Sequence, residues 1–166
     1  MNAIFTRRSI RKFVEGTISD EQIHLILTAA MCAPTARNVR PWEFIVIRDK
    51  SILADLANVS QYSKMTADAN FAIVVCADMQ LQPEIGYCVQ DCSAAVENIL
   101  VEVDSLGLGA VWLGVYPRQD RIDFIRNYFN LPVNIMPIAM IPIGPPGEIK
   151  ETHDRFDGAK VHYEKW

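Results

Sequence analysis

Three arginines and a serine near the start of the chain form a cluster that could bind an anion. Arg7, Arg8 and Arg11 lie within five residues of one another, and Ser9 places a hydroxyl group between them. Guanidinium groups this close repel one another unless an anion lies among them, and arginine binds phosphate through paired hydrogen bonds. The cluster therefore predicts a phosphate site. A solvated basic patch is the alternative, because runs of charge are usually exposed to solvent.

A second candidate segment is the loop from Ala33 to Pro41, which lies between a predicted helix and a predicted strand. It consists largely of small and amide-bearing residues, and Pro34 and Pro41 restrict its backbone. Loops positioned by rigid elements often carry ligand-binding residues. An ordinary connection would explain the same residues, so the loop alone leaves both interpretations open.

The glycines between Gly107 and Gly114 do not form the dinucleotide-binding motif G-x-G-x-x-G. Trp112 stands where the third glycine of that motif would be, and the segment follows a predicted helix instead of preceding one. Gly114, at the end of a predicted strand, would let a flat ligand approach the backbone. A close-packed turn explains the same spacing, and the spacing alone favours the turn.

The cysteines and histidines do not form a known catalytic or metal-binding motif. Cys88 and Cys92 are four residues apart on a predicted helix, but no second pair at ligand spacing accompanies them, and the three histidines are isolated. We expect Cys32 and Cys76 to be buried small apolar residues. With no nucleophile or phosphate-loop motif, we assign no catalytic side chain and no metal. If the protein is an enzyme, a bound organic cofactor must supply its chemistry.

Composition and charge narrow the class of protein. The chain has 166 residues, 50% hydrophobic and 22% charged, which indicates one globular domain over residues 1–166. Its net charge of -4 argues against a general nucleic-acid-binding protein. No apolar stretch reaches the roughly 20 residues of a membrane span. Because Arg7 and Arg8 are not followed by the apolar stretch of an export signal, we expect a cytoplasmic protein with reduced cysteines and no membrane or nucleic-acid partner.

Helical and strand patterns are mixed along the chain, which indicates an α+β or α/β domain. Ser19 and Gln22 form a capping box ahead of an apolar helical pattern that Pro34 ends. The continuous apolar run from Phe71 to Ala77 predicts a strand covered on both faces. The remaining predicted helices are at 51–59, 86–106 and 118–129, and the remaining predicted strands are at 42–47, 110–115 and 136–144. The last strand contains prolines, which suggest an edge strand or irregular ends.

The last segment of the chain, residues 148–166, is polar with scattered apolar side chains. These are Phe156, Val161, Tyr163 and Trp166. Leaving them in water costs about 25 cal/mol per Å² of apolar area. We therefore expect the segment to cover another surface, such as that of a second subunit.

Four segments together resemble the nitroreductase family of FMN flavoproteins, in the order in which that family has them. Each motif is weak alone, whereas four in register over nearly the whole chain are fairly specific. The resembling segments are Arg7 to Arg11 (the opening arginine–serine motif), Ala33 to Phe44 (the loop A-P-S-x-x-N-x-Q-P-W-x-F), Glu97 to Leu100 with Gly107 to Gly114 (the central helix and following strand), and Pro142 to Pro146 with Arg155 (the last strand and tail).

The resemblance implies an α+β, nitroreductase-like fold with a central mixed, mainly antiparallel sheet flanked by helices. It also implies a homodimer with FMN at the subunit interface and a C-terminal extension that reaches the partner subunit. The resemblance implies that FMN is contacted at its phosphate and ribityl chain by Arg7, Arg8, Ser9, Arg11 and Arg155. Lys64 would contact the polar edge of the ring, and the backbone amides of Leu113 and Gly114 would lie near the reactive nitrogen. The partner subunit would contribute Pro34, Thr35, Ala36 and Asn38.

The implied activity is that of an FMN-dependent NAD(P)H oxidoreductase. It would reduce nitroaromatics, quinones or similar small-molecule acceptors by hydride transfer in a ping-pong cycle. One alternative is a non-catalytic anion- or nucleotide-binding module. Another is a specialised flavin enzyme on the same scaffold, of the reductive dehalogenase or cobalamin-synthesis type, because a fold does not fix a function.

Three features depart from the family pattern. Arg40 replaces the glutamine that usually precedes Pro-Trp, and His153 stands where many members have a basic residue. The segment from Asp78 to Gly86 is short where larger members insert helices that cover the active site. The resemblance therefore implies a compact member with a more open site.

Overall fold

The computed structural model describes residues 2–166 and has an α+β architecture built on a five-stranded antiparallel sheet. The strand order is β1-β2-β5-β3, and β4 also pairs with β5; a single parallel bridge joins Ser9 to Ala110. The strands are β1 (Trp42–Ile47), β2 (Phe71–Asp78), β3 (Gly109–Ala110), β4 (Leu113–Gly114) and β5 (Ile135–Gly144). The α-helices are α1 (Ala3–Thr6), α2 (Asp20–Met31), α3 (Lys50–Leu56), α4 (Ile85–Ser105) and α5 (Gln119–Phe129). Short 3₁₀ segments span Ala36–Asn38, Lys64–Asp68 and Gly158–Lys160.

The sheet separates two apolar layers, and β2 contributes to both. Phe71, Ile73 and Val75 pack with α2 and α4 on one face, whereas the alternate residues of β2 pack with α3 and α5 on the other. Successive strand residues point to opposite faces of a sheet. The predicted double coverage of this apolar run is therefore confirmed.

Local sequence signals set the ends of the two long helices. The Ser19 hydroxyl accepts from the Gln22 amide at 3.2 Å, and the Gln22 side chain accepts from the Ser19 amide at 3.0 Å, so the predicted capping box is present. α4 ends just before Gly107, whose φ of +72° is easily adopted only by glycine. One face of α4 is buried, and it includes Cys88 and Cys92.

Two strand predictions are wrong in part, and Pro142 of β5 bears on both. The predicted strand at 110–115 is divided into β3 and β4, which pair with Ile143 and Met140 of β5 and leave Val111 and Trp112 between them. β5 is central in the sheet, not at its edge, but its pairing with β2 shifts register next to Pro137, so the irregularity that the prolines also suggested is present. Pro142 lies opposite the gap between β3 and β4, so the proline that cannot donate to a neighbouring strand coincides with the break in that strand.

The cysteine prediction is wrong for one residue. Cys32 is exposed at the end of α2, whereas Cys76 is fully buried, and burial raises the pKa of the Cys76 thiol to about 12. Within residues 2–166, no three His, Cys, Asp or Glu side chains form a group able to hold a metal ion. No helix in that described part of the chain is both long and apolar enough to cross a membrane.

Candidate functional site

The two ends of the described chain run side by side, and this pairing positions the predicted arginine cluster. Phe13 pairs with Pro146 in an antiparallel bridge. Beyond it the contacts continue toward the tail. They are Gly147 N to Lys12 O at 2.7 Å, Arg11 N to Glu148 Oε1 at 2.6 Å, Lys150 Nζ to Ser9 O at 2.7 Å and Arg8 Nε to Glu151 O at 3.0 Å.

Arg8 makes more side-chain hydrogen bonds than any other residue of this cluster. Its Nη1 donates to the carbonyl oxygens of Arg7 at 2.7 Å and Phe5 at 3.1 Å, in addition to the Nε contact with Glu151. Its Nη2 is buried and has no hydrogen-bond partner among the described residues. A buried donor left unsatisfied costs about 1–3 kcal/mol. An anion at this point would remove that cost, so Arg8 fits a phosphate-binding role.

The other residues of the cluster are engaged differently. Arg7 Nε lies 3.3 Å from Glu97 Oε1 on α4, so its charge is already partnered. Ser9 is bridged to Ala110 of β3, which fixes its backbone. The hydrogen bond from the Arg11 amide, with Lys150 nearby, holds the pKa of Glu148 below its ordinary value. Glu148 thus stays charged at neutral pH and fastens the tail to the arginine cluster.

Arg155 lies in the exposed part of the tail, close to the region of Arg8. It lines a cavity of about 510 Å³ together with Phe5 and the neighbouring residues 152–156, among them His153. The Phe5 carbonyl accepts from Arg8, so this cavity adjoins the arginine cluster. The tail beyond it is exposed: Phe156 is 80% and Trp166 fully accessible to solvent.

A cavity of about 420 Å³ brings three of the predicted site residues together. It is lined by Arg11, Leu113 and Gly114, and also by Gln61, Tyr62, Met65, Trp112 and Arg121. A Cβ atom added to Gly114 would meet nothing nearer than the Tyr116 carbonyl oxygen at 3.9 Å. The backbone at Gly114 is therefore open to a ligand. A larger cavity of about 830 Å³ around Phe13 to Thr17 contains none of the predicted residues.

Lys64 lies near this cavity, but its ammonium group points to another partner. Its Nζ donates to Asn58 Oδ1 at 3.0 Å. Lys64 begins the short 3₁₀ segment whose next residue, Met65, lines the cavity. Lys64 is thus next in sequence to a residue that lines the cavity, and its exposed side chain is hydrogen-bonded to Asn58.

The loop containing Pro34, Thr35, Ala36 and Asn38 is held in a strained conformation. Three of its residues have positive φ values, namely Arg37 (+54°), Asn38 (+57°) and Arg40 (+52°). Non-glycine residues adopt this region only at a cost, which persists where surrounding contacts enforce it. The contacts are Ala36 N to Asp91 Oδ1 at 3.0 Å, Arg40 N to Thr35 Oγ1 at 3.2 Å and Arg40 Nε to Asn38 Oδ1 at 2.9 Å.

This strained loop does not line the cavity that contains Arg11 and Gly114. Its anchor, Asp91, is a carboxylate on α4 with only 5% of its surface exposed. The second carboxylate oxygen of Asp91 is buried without a partner among residues 2–166. A pre-organised loop fits the ligand-binding interpretation better than an ordinary connection.

Three contributors to the site were not predicted as site residues from the sequence. Asp91 and Glu97 lie 55 residues or more from the loop and the arginine that they contact, and Arg121 reaches back seven residues from α5 to the Gly114 carbonyl at 2.6 Å. Asp91 and Arg121 lie outside the segments that resemble the family, and Glu97, which begins one of those segments, was given no role in the site. The sequence predicts the helices that carry these residues, but not which partner each side chain would meet.

Comparison with known proteins identifies a single family. The model of the nitroreductase family matches residues 4–80 and 62–145 of the chain. A protein of Methanothermobacter thermautotrophicus, described as "Putative NADH dehydrogenase/NAD(P)H nitroreductase", is 48% identical over 166 residues, which is 100% of this chain and 87% of that protein.

Solved structures agree with the sequence match. A Clostridium acetobutylicum protein described as "Putative NADH Oxidase" superposes with a TM-score of 0.95 at 41% identity, covering 99% of each chain. A Desulfovibrio desulfuricans protein described as a "putative nitroreductase in complex with fmn" superposes with a TM-score of 0.84 at 30% identity, covering 99% of this chain and 95% of the other. The arrangement of sheet and helices is thus that of these proteins.

Proposed function

The chain belongs to the nitroreductase family, and from this we propose that it is an FMN-dependent oxidoreductase that takes electrons from NAD(P)H. The relative from D. desulfuricans is described in complex with FMN. The observation on this chain that carries the proposal is the buried Nη2 of Arg8, which lacks a partner among the described residues. FMN ends in a phosphate, the kind of group that this donor requires.

The arginine cluster would hold the phosphate of FMN. Arg8 offers a free buried donor, Arg11 links the cluster to the cavity at Gly114, and Arg155 lies in the adjoining tail. Arg7 already forms a salt bridge with Glu97, so it would contribute less than Arg8 to phosphate binding. Ser9 would add its hydroxyl from a backbone fixed by its bridge to Ala110.

The cavity at Gly114 would receive the ring system. The open space before Gly114 lets a flat ligand reach the backbone, and the amides of Leu113 and Gly114 would donate to it. Lys64 would have to leave Asn58 to contact the polar edge of the ring. Bound FMN would supply the redox chemistry by accepting a hydride from NAD(P)H and passing it to an acceptor such as a nitroaromatic or a quinone. Nicotinamide and acceptor would use the same cavity in turn, which gives ping-pong kinetics.

We also propose that the site is completed by a second copy of the chain. The strained loop carries Pro34, Thr35, Ala36 and Asn38, yet it lies outside the cavity of its own chain. The tail leaves Phe156, Tyr163 and Trp166 at least 80% exposed. In a homodimer this apolar tail would cover the other subunit, and the loop would contact the flavin held by its partner.

The test of this function is a titration of the purified protein with FMN, followed by anaerobic reduction. We expect a yellow complex whose flavin absorption is bleached by NADH or NADPH and restored by a nitroaromatic or a quinone. Arg8→Ala should weaken FMN binding on the order of tenfold or more, as expected for a lost charge-assisted hydrogen bond. Arg48→Ala, which removes an exposed arginine paired with Asp20, is the matched control.

Riboflavin separates the phosphate contact from the ring contact. Because riboflavin has no phosphate, Arg8→Ala should leave its affinity unchanged. A protein that binds nucleotides but never takes up FMN would refute the proposed function. A yellow protein that NAD(P)H cannot reduce would show that the chain is a binding module and not an oxidoreductase.

A further inference from the structure

Arg121 makes a short hydrogen bond to the backbone of the candidate site. It lies in the first turn and a half of α5, and its Nη1 donates to the carbonyl oxygen of Gly114 at 2.6 Å. This distance is slightly shorter than the usual range for a charged nitrogen donor. The side chain is only partly exposed, and Arg121 lines the same cavity as Gly114 and Arg11.

The hydrogen bond fixes one particular peptide unit. The carbonyl of Gly114 and the amide of Val115 belong to the same planar peptide, and the Val115 amide donates to the Ile138 carbonyl at 3.0 Å. Arg121 therefore holds one edge of this unit and β5 holds the other. Glycine otherwise has more backbone freedom than any other residue. Restraining the peptide after Gly114 limits its ψ angle and so orients the backbone that faces the cavity.

The charge of Arg121 is not neutralised by a neighbouring carboxylate. Among the side chains of residues 2–166, no Asp or Glu oxygen comes within 4.0 Å of its guanidinium group, and its Nε is buried without a hydrogen-bond partner. Arg118, one turn earlier, differs on both points because it pairs with Asp120 at 3.6 Å and is 67% exposed. Arg121 thus brings an uncompensated positive charge to the wall of the cavity.

We propose that Arg121 is a positioning residue for the redox site, which orders the Gly114 peptide and whose charge favours the reduced, more negatively charged form of the cofactor. This inference rests on the proposed function, because it needs FMN at Gly114. It assigns to α5 a part in tuning the cofactor, although α5 contributes no residue to the family motifs found in the sequence. A fixed donor and a fixed charge cost no reorganisation when electrons arrive.

The test compares Arg121→Ala, Arg121→Gln and Arg121→Lys with the matched control Arg118→Ala. The first readout uses protein without FMN, in which hydrogen exchange measures the protection of the Val115 amide. Loss of the charged hydrogen bond should speed its exchange on the order of tenfold in Arg121→Ala and not in Arg118→Ala. Circular dichroism establishes folding, and if Arg121→Ala does not fold, the Gln and Lys variants carry the test.

The second readout is the midpoint potential of bound FMN, measured with the dissociation constant of the oxidised form. We expect Arg121→Ala and Arg121→Gln to weaken the binding of reduced FMN more than that of oxidised FMN, and so to lower the midpoint potential. Each tenfold difference between the two losses of affinity lowers the potential by about 30 mV. Arg121→Lys keeps the charge and should restore most of the potential, whereas Gln keeps only a donor. Arg118→Ala should match the wild type in both measurements.

The possible failures are distinguishable. If the wild-type protein binds and reduces FMN but the Arg121 variants behave like Arg118→Ala in exchange and potential, the role of Arg121 is refuted and the proposed function stands. If wild-type protein does not bind FMN, the proposed function fails and this inference fails with it. A potential that falls equally in Arg121→Lys and Arg121→Ala would refute the charge effect and leave only the ordering of the peptide.

Discussion

A single methyl group at Gly114 should separate folding from cofactor binding. In the folded chain, the Cβ of Gly114→Ala would be 3.9 Å from its nearest neighbour, the Tyr116 carbonyl oxygen. That is ordinary van der Waals contact, and the φ of Gly114 is not in the left-handed region. Replacing glycine by alanine under such conditions stabilises a protein by about 0.4–1 kcal/mol, because the unfolded chain loses freedom. We therefore expect an unchanged or slightly raised Tm.

The effect on FMN should be opposite. The added methyl group would project into the cavity that Gly114 shares with Arg11 and Arg121, where the proposed ring must approach the backbone. Forcing an extra carbon into a filled contact costs about 1–3 kcal/mol. This corresponds to an affinity for FMN about 5- to 150-fold weaker. Riboflavin, which shares the ring, should lose affinity by a similar factor.

Two other glycines provide controls for the same substitution. Gly86→Ala adds a methyl group in the first turn of α4 with no atom within 4 Å, so both stability and FMN affinity should be retained. Gly109→Ala would place its Cβ 2.7 Å from Ile10 Cγ2 and should lower the Tm. The assays are thermal denaturation without ligand and titration with FMN and riboflavin. If Gly114→Ala binds both flavins as tightly as Gly86→Ala, the ring does not approach Gly114 and the placement is wrong.

Three further predictions concern the loop, the paired ends and the tail. Asp91→Ala should remove the acceptor of the Ala36 amide, speed the hydrogen exchange of that amide and weaken FMN binding. Asp91→Asn keeps an acceptor and should retain most of the affinity for FMN. Equal affinities for Asp91→Ala and the wild type would contradict this. The pKa of Glu148 is lowered in the folded protein, so its contribution to stability is complete above the ordinary value of 4.5 and is lost as the pH falls through the lower folded value. Glu148→Gln should remove that part of the acid dependence, and identical acid-denaturation curves for the two proteins would refute it. Replacing Tyr163 and Trp166 by Asp should convert dimers to monomers in sedimentation equilibrium; an undiminished dimer would show that these exposed rings are not in the interface.

The parts of the fold that the sequence predicted well are those specified by neighbouring residues. The capping box of Ser19 and Gln22 needs only residues three apart, and the end of α4 needs only the backbone freedom of Gly107. The burial of β2 follows from its own continuous run of apolar residues. By contrast, the break between β3 and β4 depends on Pro142, about 30 residues later in the chain, and only the register of the sheet places the two opposite each other.

The same distinction separates the predicted and the missed site residues. Arg8 and Gly114 belong to short segments whose chemistry is visible in their residue types. Asp91 and Glu97 contact residues far away in the chain, and Arg121 contacts the backbone seven residues earlier. An acidic or basic side chain on a helix is usually solvated, so none of these contacts was expected. Their partners became visible only in the folded chain, where Asp91 is 5% exposed and Arg121 reaches the carbonyl of Gly114.

The pairing of the chain ends links cofactor binding to folding. The Glu151 carbonyl accepts a hydrogen bond from Arg8, and the Arg11 amide donates one to Glu148, so the proposed phosphate site would form only when the tail lies against the first segment. A ligand that binds only this arrangement must in turn stabilise it. At one hundred times its Kd, such a ligand adds about 2.7 kcal/mol to the free energy of unfolding. In the proposed complex the tail and the cofactor would stabilise each other, because the Glu151 carbonyl accepts from Arg8 Nε and the phosphate of FMN would accept from Arg8 Nη2.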